Sequence, residues 1–323
     1  MNRLDVHDYL GLTIDYSHRK ERFVKLSMYD FLEDVLKEAD EKGDMSGQCV
    51  TPAPSNLFSV IETSENLDVN KADYFHRMVA RLLFAAKRAR PDIQVAVAYL
   101  CTRVKCPNEA DYDKLRRVIK YIRRTIHLPL LLGWDESGSI TWSVDASFAC
   151  HNDYRSHTGA LATLGKGSII SLSMKQKVNT KSSTESELVG VDDSLNFLVW
   201  TKLFFEHQMR EYKSDEVTKK IGQVNILLQD NTSAIQLERH GKNSSTKRTR
   251  HLAIKYYYCT SLLYNGTISC VQYCATKSMI ADFLTKPLQG AEFRKHRNTI
   301  MGINEREEAL TSRIYYERFS GKN

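Results

Sequence analysis

The stretch Ile140-Thr141-Trp142-Ser143-Val144-Asp145-Ala146-Ser147, ITWSVDAS, decides the fold. Ile140, Trp142 and Val144 alternate with Thr141 and Ser143, the period of two that marks a strand with one face in a core. Asp145 ends the alternation. A carboxylate placed where core-facing residues have just run is costly to bury unpaired. Three later stretches bring another acid to a comparable spot: Glu187 at a helix start, Asp230 at a strand end and Asp282 in a short amphipathic segment. These four carboxylates are expected to meet and to hold divalent metal.

The elements around that strand predict a mixed sheet. Residues 158–164 and 168–173 alternate as two further strands, joined by the hairpin-forming Gly165-Lys166-Gly167. A long helix over 182–207 carries Leu188, Val191, Leu195, Leu198, Val199 and Leu203 on its inner side. Residues 224–229 read as a central strand, 232–239 and 247–264 as helices, 267–273 as a fifth strand and 279–284 as a short helix. If the first and fourth strands are parallel neighbours, they lie about 4.8 Å apart and project Asp145 and Asp230 side by side. At about 4 Å and an effective dielectric near 20, each carboxylate pair costs about 4 kcal/mol. Two Mg²⁺ ions about 3.5–4 Å apart would relieve that cost and make a phosphodiester-cleaving centre. Each acid taken alone has a structural reading: a strand-end cap for Asp145, a Thr184-x-x-Glu187 capping box, an Asp230-Asn231 helix cap, a surface acid for Asp282. Only their joint placement favours metal. Asp192-Asp193, which mimics a polymerase Tyr-x-Asp-Asp signature, falls inside the long helix and is read as a solvated face.

The first part of the chain is mainly helical. Residues 10–16 and 23–26 read as two strands joined by SHRKE. Helices follow over 27–39, 74–89, 93–101 and 113–125, with Pro91 suited to a helix start. Residues 40–70 are polar, include TPAP and read as a linker or mobile connection. On the helix at 113–125, Lys114, Arg116, Arg117, Lys120, Arg123 and Arg124 surround an apolar face. They fit a solvated face or a contact with phosphates about equally well. The turn-rich GWDESG, residues 133–138, divides the chain into 1–132, 133–290 and a charged tail, 291–323.

Composition narrows the setting. A net charge of +7 favours a polyanionic partner without requiring one. Seven cysteines, odd in number and without a CxxC pair, fit reduced thiols of an intracellular protein, cytoplasmic or nuclear, rather than a disulfide framework or zinc site. No apolar run approaches the ~18 residues of a membrane span, and the N-terminus has no signal-peptide pattern, so neither membrane association nor secretion is expected.

At SVDAS, HTGAL, SLSMKQKVNTKSSTESELVG, LLQDNTSAI, KRTRHLAIKYYY and MIADFLTKPL the chain resembles the ribonuclease H region of copia-type LTR-retrotransposon Pol polyproteins. DYLGLTIDY, VTPAP, DYFHRMVARLLFAAKRARPDIQVAVAYL and DYDKLRRVIKYIRRT are similar to the end of the copia reverse transcriptase and its connection. The resemblance covers nearly the whole chain. It implies an α/β, ribonuclease H-like mixed five-stranded sheet with helices on both faces, preceded by a mainly helical thumb and connection region. It also implies hydrolysis of the RNA strand of RNA–DNA hybrids with two Mg²⁺ ions, for which Mn²⁺ can substitute.

Carried onto this sequence, Asp145, Glu187, Asp230 and Asp282 would be the catalytic, metal-binding set. Ser147, Ser183, Thr184 and Asn231 would contact hybrid backbone and 2′-hydroxyls. His251 matches a recurrent histidine and is counted with the substrate-binding residues. The polymerase fingers, palm and catalytic Tyr-x-Asp-Asp hairpin have no counterpart here, so DNA synthesis is not expected, and the remaining reverse-transcriptase portion becomes a candidate partner. The alternative is a catalytically inert nucleic-acid-binding remnant, suggested by the missing polymerase core, by the basic helix at 113–125, and by Ala80 and Tyr258 where the family commonly has glycine and histidine.

Overall fold

The computed structural model describes residues 5–211, 221–241, 253–309 and 311. They fall into two compact units, one within Met1–Gly133 and Pro287–Asn323, the other Trp134–Lys286.

The first unit opens with an antiparallel sheet, Val6–Tyr9 (β1), Leu12–Asp15 (β2), Phe23–Ser27 (β3) and Leu130–Trp134 (β4), in that order. Leu10 and Gly11 adopt left-handed backbone, φ 49° and 74°, and close a two-residue hairpin between Tyr9 and Leu12. This turn takes the first two residues of the strand expected over 10–16, and β1, which lies before it, was not expected. The helices are Tyr29–Lys42 (α1), Val69–Ala86 (α2), Gln94–Cys101 (α3) and Glu109–Thr125 (α4). α2 starts five residues earlier than its apolar stripe suggests, because the Asp68 side chain accepts from Lys71 N–H and caps it. α4 starts four residues early for the same kind of reason: Asn108 and Asp111 form a reciprocal capping box.

The polar stretch before α2 is irregular but not a free linker. Met45, Ala53 and Leu57 are buried in it. Lys114 Nζ donates to Ser59 O at 2.7 Å, Asn108 Nδ2 to Ile61 O at 3.0 Å, and Arg117 to Thr51 Oγ1 at 2.8 Å. Such bonds also engage much of the basic face of α4, since Arg116 pairs with Asp44 and Asp113, and Arg123 with Asp40. In the same unit the buried Arg90 and Asp92 form an ion pair at 2.7 Å, with Tyr121 Oη donating to Asp92. Gly290–Met301, expected to belong largely to a charged tail, is helical and buries Phe293, Ile300 and Met301; Phe293 meets Tyr121 edge-on at 5.8 Å. The end of that tail lies outside the described residues.

The second unit contains Ile140–Ser147 (β5), His157–Thr163 (β6), the two-residue Gly165–Lys166 (β7), Ile170–Lys175 (β8), Ser183–Glu211 (α5), Asn225–Gln229 (β9), Thr232–His240 (α6), Ala253–Tyr264 (α7), Cys270–Tyr273 (β10) and Asp282–Thr285 (α8). Its sheet runs β10-β9-β5-β6-β8. Short connections make β5, β6 and β8 antiparallel neighbours, whereas β9 lies parallel to both β5 and β10 because helices carry the chain back between them. This is a mixed five-stranded, ribonuclease H-like sheet with flanking helices, preceded by a mainly helical region.

Trp142, Val144, Ala160, Leu172, Leu227 and Val271 from the sheet share a core with Val191, Leu195 and Leu198 of α5 and with Cys259 and Leu262 of α7. Each large apolar side chain so buried contributes about 1.5–3 kcal/mol. Leu203, assigned to the buried side from sequence, is 58% exposed. Two turns beyond Leu198 the core-facing position is 205, and it is Phe205, followed by Met209, that packs on the cluster. Asp193 lies inside α5 as expected but is not merely solvated: it accepts from Thr158 Oγ1 at 2.9 Å.

Candidate metal centre

β5 and β9 pair in parallel from Ile140↔Asn225 to Ser143↔Leu228. The same offset, continued two residues past the last pair, brings Asp230 level with Asp145. Asp145 is interior to β5 and 3% exposed, so it is no strand-end cap. Val144 and Ala146, its neighbours along the strand, lie under Gly190 of α5. Asp145 projects from the other face, as the strand alternation requires, and Thr285 and Lys286 meet it there.

Glu187 comes from α5, and the start of that helix explains why it is free to turn inward. Ser182, not Thr184, caps the helix: its Oγ accepts from Glu185 N–H at 3.2 Å, and Glu185 in turn accepts from Lys181 N–H at 2.8 Å. Glu187 is 5% exposed and accepts a hydrogen bond from the Ala146 backbone. Similarly, the helix cap after β9 is Asn231, whose side chain accepts from Ala234 N–H at 3.1 Å. Asp230 is left to face the acids, steadied by Thr276 Oγ1 at 2.8 Å.

Asp145, Glu187 and Asp230 each offer a carboxylate oxygen within 4.8 Å of the others. Burial first, then the charges of Asp145 and Asp230, push the Glu187 carboxyl up to about 9. Burial likewise pushes Asp145 up to about 6; of its neighbours, Lys286 opposes the rise and Asp282 adds to it. Glu187 Oε2 is buried without a hydrogen-bond partner among the described residues. Three clustered carboxylates, one of which has a buried oxygen without a hydrogen-bond partner, fit a hard divalent cation.

Asp282, expected as the fourth ligand, is buried and adjoins Asp145, but it stands outside the group of three. Lys286 Nζ holds its Oδ1 at 2.7 Å and lies 3.8 Å from Asp145 Oδ2. Thr285 Oγ1 donates to that same Asp145 oxygen. The segment bearing these residues is anchored from below by a hydrogen-bonded chain. Ser173 Oγ donates to Leu284 O at 2.8 Å and accepts from His157 Nε2 at 2.8 Å, which leaves His157 Nδ1 to accept from His151 Nε2 at 3.0 Å.

No protein-family model matches the chain. It is 31% identical over 199 residues to an uncharacterized mitochondrial protein of Arabidopsis thaliana, a match covering 61% of this chain and 78% of that protein. It is 26% identical over 299 residues to the retrovirus-related Pol polyprotein from transposon RE1 of the same plant, covering 92% of this chain. The chain is thus similar to LTR-retrotransposon Pol polyproteins. It is related to Ty1/copia-type elements and spans 19% of the RE1 polyprotein's length. A likeness to the foamy viral protease-reverse transcriptase in complex with RNA/DNA hybrid has a TM-score of 0.47 at 11% identity, covering 84% of this chain and 29% of that one.

The remaining expected site residues are distributed less tightly. Ser147 ends β5 and is bonded to Cys150; Ser183 is exposed and Thr184 half-buried at the start of α5; Asn231 is occupied as a cap. His251 lies outside the described residues. Sequence reasoning assigned no role to Thr285, Lys286, Thr276 or Gly159. Thr285 and Lys286 lie in the matched MIADFLTKPL and Gly159 in HTGAL, but nothing local showed what they touch. All seven cysteines are free thiols, and among the described residues no helix is long and apolar enough to cross a membrane.

Proposed function

We propose that the second unit hydrolyses the RNA strand of RNA–DNA hybrids, as the ribonuclease H portion of a copia-type Pol polyprotein. The convergence of Asp145, Glu187 and Asp230 oxygens within 4.8 Å carries this reading. These residues would hold divalent metal, with Asp282 as the fourth acid. Two bound Mg²⁺ ions, or Mn²⁺ in their place, would supply activation of the attacking water and charge stabilisation at the scissile phosphate. The chain itself prearranges the ligands. Thr285 fixes one oxygen of Asp145, Thr276 orients Asp230, and the Ala146 N–H holds Glu187 in place. Ser147, Ser183, Thr184 and Asn231 lie on segments adjoining the acids, where a hybrid's phosphates and 2′-hydroxyls would pass; His251 is retained with them on the family resemblance. The remaining reverse-transcriptase portion of an element is the expected protein partner.

The inert-remnant alternative drew on the basic face of α4, but Lys114, Arg116, Arg117 and Arg123 there are engaged by internal partners. Incubation of the purified chain with labelled RNA–DNA hybrid and Mg²⁺ should give cleavage of the RNA strand, abolished by Asp145→Asn. Absence of cleavage by the wild type, or equal cleavage by the variant, would count against a nuclease.

A further inference from the structure

The fourth acid already has a cation of its own. Lys286 Nζ lies 2.7 Å from Asp282 Oδ1 and 3.8 Å from Asp145 Oδ2, so its ammonium sits between two carboxylates of the expected metal set. The contact is built into the fold. Lys286 N–H donates to Asp282 O at 2.9 Å and closes α8, fixing the backbone from which the side chain returns. Gly159 on β6 admits α8 closely: a Cβ there would meet Thr285 Cγ2 at 2.6 Å and Ala281 O at 2.9 Å. The Lys286 side chain is 38% exposed, which leaves it accessible to a charged group arriving from solvent.

We propose that Lys286 is an internal counter-cation standing where a second divalent ion would bind, so that the nucleic-acid-free protein takes one ion at Asp145, Glu187 and Asp230 and admits another at Asp282 only when Lys286 withdraws. The inference rests on the metal-centre reading and refines it. An ammonium and a divalent ion compete for the same oxygens, since at ~4 Å they repel about twice as strongly as two carboxylates do. A lysine suits this exchange because its ammonium is a compact charge on a flexible stem, able to leave a carboxylate for a nearby anion. A backbone phosphate brought to the site is the anion whose chemistry would draw it away. Metal loading of the second position would thereby be tied to substrate arrival.

The test counts ions rather than turnover. Mn²⁺ binding to the full chain, without nucleic acid, should be measured by calorimetry and by the paramagnetic resonance of free Mn²⁺, for the wild type, Lys286→Met and Lys286→Arg. The wild type is expected to bind one ion in the accessible range. Lys286→Met should bind a second, with affinity raised about tenfold or more by loss of the competing charge. Lys286→Arg, which retains that charge, should bind one. Thermal melts of all three verify folding. Equal stoichiometry and affinity in the wild type and Lys286→Met would overturn the role of Lys286 while leaving the three-acid centre intact; so would two ions in the wild type. No Mn²⁺ bound by any of the three would overturn the metal centre itself, and this inference with it.

Discussion

Gly159 lies directly across the β5–β6 ladder from Asp145, and its missing side chain is what lets Thr285 reach that carboxylate. Two of the atoms a Cβ would strike, Ala281 O and Leu284 C, are backbone, so a rotamer change cannot relieve the clash. Gly159→Ala should therefore push α8 off the sheet at a cost of about 1–3 kcal/mol, as overpacking does. Denaturant melts measure the cost, and the variant should also lose part of the stabilisation that Mg²⁺ gives the wild type. An unchanged midpoint would show that α8 is not seated on Gly159.

Removing one acid from the group of three should have opposite effects with and without metal. Burial first, then Asp145 and Asp230, keep the Glu187 carboxyl protonated up to about 9, so Glu187→Gln, which has no proton to lose, should melt higher than the wild type without divalent ions, by a margin that grows as pH rises from ~4.5 to about 9. Saturating Mg²⁺ should raise the wild type further, since a ligand at ~100 times its Kd contributes about 2.7 kcal/mol. The variant should gain much less. Equal gains in both proteins would mean that Mg²⁺ binds elsewhere.

Glu238 on α6 is fully buried, with neither carboxyl oxygen partnered among the described residues. Burial pushes it up to about 8, against a small opposing effect of Arg239. The folded state thus retains a proton that the unfolded chain releases above pH ~4.5. Stability should fall as pH rises from there to about 8, then level off. Glu238→Gln cannot titrate, so its advantage over the wild type should grow across that window at ~1.4 kcal/mol for each tenfold change in proton affinity, up to a few kcal/mol. Urea melts at pH 5 and pH 8.5 read the difference. The prediction fails if the two proteins keep a constant gap.

In the first unit, Arg90 and Asp92 are paired in full burial, 1% and 0% exposed. Asp92→Ala strands the guanidinium and should cost about 3–5 kcal/mol, whereas Arg90→Met combined with Asp92→Ala should recover much of the loss. A double-mutant cycle on unfolding free energy measures the coupling. Additive losses would show that the pair contributes little as a pair.

The sequence by itself determined the strand at Asp145, the order of the strands and helices in the second unit, and the candidate acids from which three converge. Those features follow from periodicity and from short-range chemistry, which neighbours along the chain encode. Boundaries were displaced where a cap or a tight turn outweighed the apolar pattern, as at Asp68, Asn108 and the Leu10-Gly11 hairpin. Tertiary structure alone decided which acids stand together: Thr184-x-x-Glu187 has the spacing of a capping box, yet Ser182 takes the cap and frees Glu187 for the centre. It also decided that Lys286 faces Asp282 and Asp145 rather than solvent. Lys286 and Asp145 are far apart along the chain, and whether they meet depends on strand register, on a glycine opposite Asp145 and on the seating of a one-turn helix. No local pattern records any of these.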